Sequence, residues 1–225
     1  MKLNLRMLLL LGGLWAVMGM PHPAQAAKTI FPSTVGSQWN YRVSNGQRYS
    51  DTITSGSARR FTVRYRGAVA YSMHWIKSAT GWRTPDFHAI GAVGPVGESF
   101  KTHVTGSGGV VIPQTGSWKR GHHWNFWYTM RSTGSTGPMT FTQTGKITVH
   151  NKIAGMKMVQ VPAGSFRCFV VHSVVTFTGA TAVAGQSIPL HVTTDETQYY
   201  ALGVGLIKRT DSKTTTVLTK FTLGK

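Results

Sequence analysis

The chain has 225 residues, of which 24 are Lys or Arg and only 6 are Asp or Glu, for a formal net charge of +18. With 41% hydrophobic residues and seven Trp, the composition excludes a disordered chain and supports a sizeable core. The shortage of carboxylates removes most of the groups that acid–base chemistry would use, and a single cysteine excludes an internal disulfide framework.

Residues 1–26 read as a cleavable export signal. Lys2 and Arg6 form a positive start, residues 8–20 a short apolar core broken by Gly12, Gly13 and Gly19, and Ala24-Gln25-Ala26 a small-x-small cleavage site. The apolar core is shorter than the roughly 20 residues a spanning helix needs, and no later stretch is long enough. The expected product starts at Ala27, has no transmembrane segment, and is periplasmic or secreted. No cysteine stands near the cleavage site to take a lipid anchor. Loss of Lys2 and Arg6 leaves 22 cations against 6 acids, a net charge of +16.

From residue 27 onward the pattern is β. Thr, Val, Ser, Tyr, Phe and Trp dominate, with glycine breaks at short intervals and almost no helix-start signal. Strands are predicted at 38–43, 49–54, 60–66, 68–78 and 82–90. More follow at 122–131, 139–151, 156–161, 165–177, 188–194, 198–200, 205–211 and 214–222. Asn45-Gly46 marks a tight hairpin. In the segment 60–66, Phe61, Val63 and Tyr65 share one face, and Arg60, Thr62, Arg64 and Arg66 share the other. Gly106 to Gly109 is the softest break in a single all-β unit spanning 27–225, and 106–112 offers a boundary between two related halves. A faint echo supports such halves. Gly36-Ser37-Gln38-Trp39-Asn40-Tyr41 follows Pro32, and Gly121-His122-His123-Trp124-Asn125-Phe126 follows Pro113. The expected fold is a curved antiparallel sheet or half-barrel with little helix, with a β-sandwich as the alternative. The arginine-rich face of 60–66 fits a membrane-spanning barrel poorly.

Val161-Pro162-Ala163-Gly164-Ser165-Phe166, Tyr200-Ala201-Leu202-Gly203-Val204-Gly205-Leu206-Ile207-Lys208 and the opening Gly36, Trp39 and Tyr41 form three short motifs. Together they resemble a group of uncharacterised exported bacterial proteins, the TapB-like family. The resemblance implies a half-barrel similar to periplasmic lipoprotein and lipid carriers, with a cavity for a hydrophobic ligand and no known activity. Leu202 stands where that group usually has Pro, and Lys157 where it commonly has an acid. The motifs also have a plain structural meaning. Pro162 and Gly164 suit a tight connection between strands, and Gly203 and Gly205 suit a bulge or a close backbone approach.

No catalytic constellation emerges. Among the acids only Asp195 and Glu196 adjoin, and strand neighbours point to opposite faces. His122-His123 is the only histidine cluster, and the two rings diverge in a strand, so no metal and no cofactor are expected. No Gly-x-Ser-x-Gly elbow is present. Cys168 reads as a buried small hydrophobe. The aromatic and basic segment 118–128 could meet nucleic acid, anionic lipid or a cell-wall polymer, or could turn Trp124, Phe126 and Tyr128 into the core. Export counts against nucleic acid.

The cations are scattered, with Arg59-Arg60, Lys119-Arg120 and Lys208-Arg209 the notable doublets. That pattern fits an acid-adapted envelope protein better than a dedicated polyanion binder. The resulting expectation is a non-enzymatic exported envelope protein that binds a lipid-like or other amphipathic ligand. Trp39, Tyr41, Trp124 and Phe126 would line its concave face or the core behind it. An assembly protein that docks on the anionic envelope surface through basic patches and sheet edges is the alternative, and a hydrolase ranks third. The chain from Ala27 is expected to keep its circular-dichroism spectrum from about pH 7 to about pH 3; unfolding in that window would remove the acid-adaptation reading.

Overall fold

The computed structural model describes residues 29–67, 69–93, 98–136 and 139–224, so the predicted export signal lies outside the described residues. Fourteen strands are described. The first eight are β1 (Gln38–Val43), β2 (Arg48–Ser57), β3 (Arg60–Arg66), β4 (Val69–Ser78), β5 (Gly81–Arg83), β6 (Phe87–Val93), β7 (Glu98–Gly109) and β8 (Ile112–Pro113). The rest are β9 (His123–Thr136), β10 (Met139–Val161), β11 (Gly164–Val183), β12 (Gln186–Ala201), β13 (Gly205–Thr210) and β14 (Thr215–Thr222). A 3-10 turn, Thr115–Ser117, is the helical element described.

All fourteen strands belong to one antiparallel sheet, in the order β3-β2-β1-β14-β13-β12-β11-β10-β9-β7-β6-β4-β5-β8. β3 also pairs with β4, so the sheet curls back towards its own start around a core, with β5 and β8 branching from β4. This is the curved antiparallel sheet expected from the sequence, and it is not a regular barrel.

Several strands differ from their expected bounds. The segment 82–90 is two strands, because Thr84-Pro85-Asp86 interrupts it and proline cannot donate to a ladder. Conversely, 139–151 and 156–161 are one strand of 23 residues, since a register shift between Ile153 and Gly155 absorbs the irregularity. The segments 188–194 and 198–200 likewise merge into β12. Gly106–Gly109, read from sequence as a break, lies inside β7 and pairs with Thr129 to Phe126 of β9. A Cβ on Gly108 would stand 2.6 Å from the Trp127 indole, so the glycine is there to let an aromatic ring lie across the strand.

The two Gly-x-x-Trp segments adopt the same arrangement. Gly36 and Gly121 each have φ of +85°. Gly36 N–H donates to the Ile53 carbonyl and Ile53 N–H to Ser37; Gly121 N–H donates to Ile153 and Ile153 N–H to His122. Trp39 stands opposite Asp51, and Trp124 opposite Asn151. A register shift follows each isoleucine, between Ile53 and Ser55 and between Ile153 and Gly155. Each segment also has an aromatic plug. Phe31 lies 4.8, 5.9 and 5.9 Å from Trp39, Phe61 and Trp75, and Trp118 lies 5.7, 5.3 and 5.4 Å from Trp124, Phe169 and Tyr200.

The apolar core gathers around these plugs, with Trp39, Ile53, Phe61, Trp82, Ile153, Val171, Ile207 and Leu218 buried. Gly205 keeps one plug in place. Its φ is +97°, and a Cβ there would meet the Phe31 ring at 2.8 Å. Phe31→Ala and Trp118→Ala should each cost about 3 kcal/mol of unfolding free energy, measured by chemical denaturation. Val35→Ala, at a side chain 44% exposed, should cost under about 0.5 kcal/mol. No loss from either plug would refute the role given to them.

Candidate functional site

β10, β11 and β12 run well past the core, and strand alternation fixes what they display there. On β11, Val171 and Ser173 face the core, so Val175 and Phe177 continue that face outward. Their cross-strand partners are Val149, Ile147, Thr194 and Val192, followed by Phe126 and Tyr128 on β9. Beyond them, Gly179 pairs with Leu190 and with Gly145. A Cβ on Gly145 would come within 2.6 Å of the Phe177 ring, which lies across the glycine pair. Val149 and Tyr128 are buried, and the Thr84 and Tyr128 hydroxyls hydrogen-bond to each other. The rest of the strip is open: Val192 is 53% exposed and Ile188 51%. A continuous apolar strip thus leaves the core and meets solvent.

The core end of that strip is polar. Ser173 Oγ donates to Asn151 Oδ1 at 2.6 Å, while Asn151 Nδ2 is sealed from solvent without a hydrogen-bond partner. Glu196, opposite Ser173, accepts from Gln198 Nε2 at 2.9 Å, and Gln198 Oε1 accepts from the Tyr200 hydroxyl at 2.6 Å. Gln198 stands opposite Arg209 of β13, which in turn stands opposite buried Thr216 of β14. Arg209 follows Ile207 at strand spacing and therefore faces inward. It is half-buried and makes no hydrogen bond or ion pair among the described residues, where the one ion pair is the surface contact of His74 Nδ1 with Asp86 Oδ1 at 2.7 Å.

Around the guanidinium stand phenols. Tyr41, Tyr49, Tyr65 and Tyr71 stack in sequence across β1 to β4, with ring centres 4.8, 4.8 and 4.4 Å apart. Burial pushes the phenols of Tyr41, Tyr49, Tyr71 and Tyr200 well up, so they stay protonated and act as donors. Burial works against the Arg209 charge, yet its proton is held more tightly than usual, with Glu196 the charged neighbour that favours it while the phenols are neutral. Asp51 lies among these groups. Burial pushes its carboxyl up to about 7, against the pull of Arg209, and one of its oxygens is sealed without a hydrogen-bond partner. The centre is rich in donors and has one inward cation with no carboxylate bonded to it.

The residues singled out from the sequence fall in different places. Trp39 is completely buried and donates to the Val204 carbonyl at 2.6 Å; Tyr41 is buried and donates to the Leu206 carbonyl at 3.1 Å. Trp124 is half-buried and donates to the Val111 carbonyl at 3.1 Å, and Phe126 is half-buried on the apolar strip. Pro162 and Ala163 form the two-residue turn between β10 and β11, with Gly164 next at φ +131°. Gly203, at φ +73°, lies in the turn before β13. Cys168 is fully buried, and burial pushes its thiol up to about 12, which makes it inert. Asp195 and Glu196 take opposite faces of β12. Among the described residues, no group of three His, Cys, Asp or Glu could hold a metal ion, and no helix is long and apolar enough to cross a membrane.

Arg209 and Asp51 were missed in the sequence. In the sequence Arg209 stands out only as half of a doublet with Lys208. The available signal was alternation with Ile207, which places the arginine on the core side.

No family model matches the chain, and no curated protein matches it, so the TapB-like resemblance rests on its motifs. Among solved structures, the chain is similar to a protein described as a lipoprotein from Parabacteroides distasonis, with 14% identity, TM-score 0.39, and 88% of this chain and 100% of that one covered. It is also similar to an exported protein with a YmcC-like fold from Bacteroides fragilis, with 13% identity, TM-score 0.43, and coverage of 87% and 99%. A third is the hypothetical lipoprotein YmcC from Escherichia coli, with 10% identity, TM-score 0.42, and coverage of 87% and 90%.

Asp51 gives the fold a pH dependence of definite sign. Its carboxyl titrates near 7 when folded against 3.8 in the open chain, so the native state holds the extra proton. The resulting stability is fully present below about pH 4 and is lost as pH rises through about 7. Asp51→Asn should remove that slope and raise the unfolding free energy at about pH 8 by at most about 4 kcal/mol. Parallel denaturation curves of the two proteins across this range would exclude a buried carboxyl.

Proposed function

We propose that the protein is a non-enzymatic exported envelope protein that binds an amphipathic ligand. The apolar part would lie along Phe126, Val175, Phe177, Leu190 and Val192, and the polar end would meet Arg209. The observation that carries this reading is the open apolar strip that ends at a half-buried guanidinium with no hydrogen bond or ion pair among the described residues. Covering the strip gains about 25 cal/mol per Å² of apolar surface. A guanidinium inside a low-dielectric wall of phenols favours an acceptor group, charged or strongly polar. The predicted export signal sets the location, and a carboxyl that is neutral in acid suits the habitat inferred from composition.

The matching arrangements around Trp39 and Trp124 support two related halves in one all-β unit, each with its own plug and its own polar residue opposite the tryptophan. In this reading Trp39 and Tyr41 support one wall, while Trp124 and Phe126 stand where the strip begins.

A second reading has an observation of its own. Among the described residues, β12 pairs with β11 alone between Gln186 and Glu196, which leaves its other side an open strand edge that carries the exposed Ile188. Such an edge can take a partner's strand, which suits an assembly protein.

Native mass spectrometry of the protein gently isolated from its own envelope separates the two. A bound mass, released on denaturation and identified as an amphiphile, is the expected result. Arg209→Gln should lower its occupancy about tenfold, roughly the worth of one charge-assisted contact, while Cys168→Ala should leave it unchanged. An empty monomer would defeat the ligand reading. A reproducible oligomer or a second protein without a bound amphiphile would establish the assembly role in its place.

A further inference from the structure

The opposite face of the same long strands is also ordered by register. One cross-strand row reads His123, Lys152, His172 and Thr197, and the next Asn125, His150, Val174 and Asp195. A later row reads Thr129, Lys146, Thr178 and His191, and β7 adds His103 opposite Arg131 and Lys101 opposite Thr133. All of these Lys, Arg and His side chains are exposed. Asp195 is the acid on this face among the described residues. Glu196 faces the core, and Asp211, at the end of β13, is engaged by the N–H groups of Lys213 and Thr214 at 2.7 Å each. One sheet face therefore sets four permanent cations and five imidazoles against one carboxylate.

We propose that this face docks the protein on a bilayer containing anionic phospholipid, and holds it more tightly in acid than at neutral pH. Charge complementarity is the first argument. Basic groups near an anionic leaflet each add to attraction, and the sum is screened by salt. Geometry is the second. The cations are spread over five neighbouring strands in a broad array, which matches a plane of headgroups better than a single extended polymer. His123, His150, Lys152, His172 and Val174 line a groove of about 480 Å³ on this face, enough for a phosphate headgroup. Trp127 lies on the same face with Lys146 Nζ 4.9 Å from the ring centre, and indole is favoured at the membrane interface.

The pH dependence follows from residue type. Imidazole is the side chain that gains its charge between pH 8 and pH 5. His150 Nδ1 lies 3.1 Å from Asn125 Oδ1, which fixes the ring on this face. Lys152, between His123 and His172, is the cation that resists added charge there, and Asp195, on the neighbouring row, is the one carboxylate that favours it.

Vesicle co-sedimentation of the chain from Ala27 tests the proposal, since the export signal would bind membranes by itself. Phosphatidylcholine vesicles with and without phosphatidylglycerol are compared at about pH 7.5 and about pH 5.5. Binding should require phosphatidylglycerol, rise roughly tenfold to a hundredfold on acidification, and vanish in high salt. The triple variant His123→Gln, His150→Gln, His172→Gln should keep the binding at neutral pH and lose most of the rise. Lys146→Gln with Lys152→Gln should weaken binding at both pH values, with circular dichroism reporting the fold of each variant. Equal binding to neutral vesicles, a pH rise that survives in a folded triple variant, or capture by soluble polyphosphate without any vesicle binding would each overturn the proposal.

Discussion

The hydrogen bond from the Trp39 indole to the Val204 carbonyl joins residues 165 positions apart, and the wrapped sheet depends on it. Burying an indole N–H without a partner would cost about 1–3 kcal/mol. The carbonyl that receives it sits in the turn between β12 and β13, beside Gly205. The left-handed backbone there leaves room for Phe31 to stack on the same indole. Tyr41 repeats the tie one step along, to Leu206. The first strand is thereby pinned to the turn that precedes Ile207 and Arg209. The polar centre exists because the core closes at this point.

Much of the fold was legible because the strands alternate. Phe61, Val63 and Tyr65 could be assigned to one face from spacing alone, and Trp39 with Tyr41 likewise. Long strands were harder. Ile153 to Gly155 reads as an interruption because a bulge shifts the pattern by one residue, although the ladder continues. Gly106 to Gly109 misleads for another reason. Glycine signals a turn in isolation, yet here it makes space for Trp127 from the neighbouring strand, a contact no local window contains. Arg209 was hidden by chemistry: an arginine beside a lysine looks like surface, and its inward direction appears only once Ile207 is known to be core.

The chain's unusual charge acquires a spatial meaning. Few acids are present, and those that are present are placed with care. Asp211 caps a turn, Asp86 pairs with His74, and Glu196 is held by Gln198. Among the described acids, Asp51 is the one enclosed with an oxygen that lacks a hydrogen-bond partner. Four Lys and Arg with five His meanwhile share the outer face of the long strands, while the other face of the same strands carries the apolar strip. A single layer of backbone thus separates two kinds of surface, and period-two alternation is enough to keep them apart.

The correspondence between Asp51 and Asn151 has a further consequence. The two side chains have nearly the same shape, stand opposite equivalent tryptophans, and each hides one unpaired polar atom. One can lose a proton and the other cannot. The molecule therefore holds two niches of similar backbone plan, one responsive to acidity and one blind to it. Their neighbours differ as well: Asp51 lies near Arg209, while Asn151 accepts from Ser173.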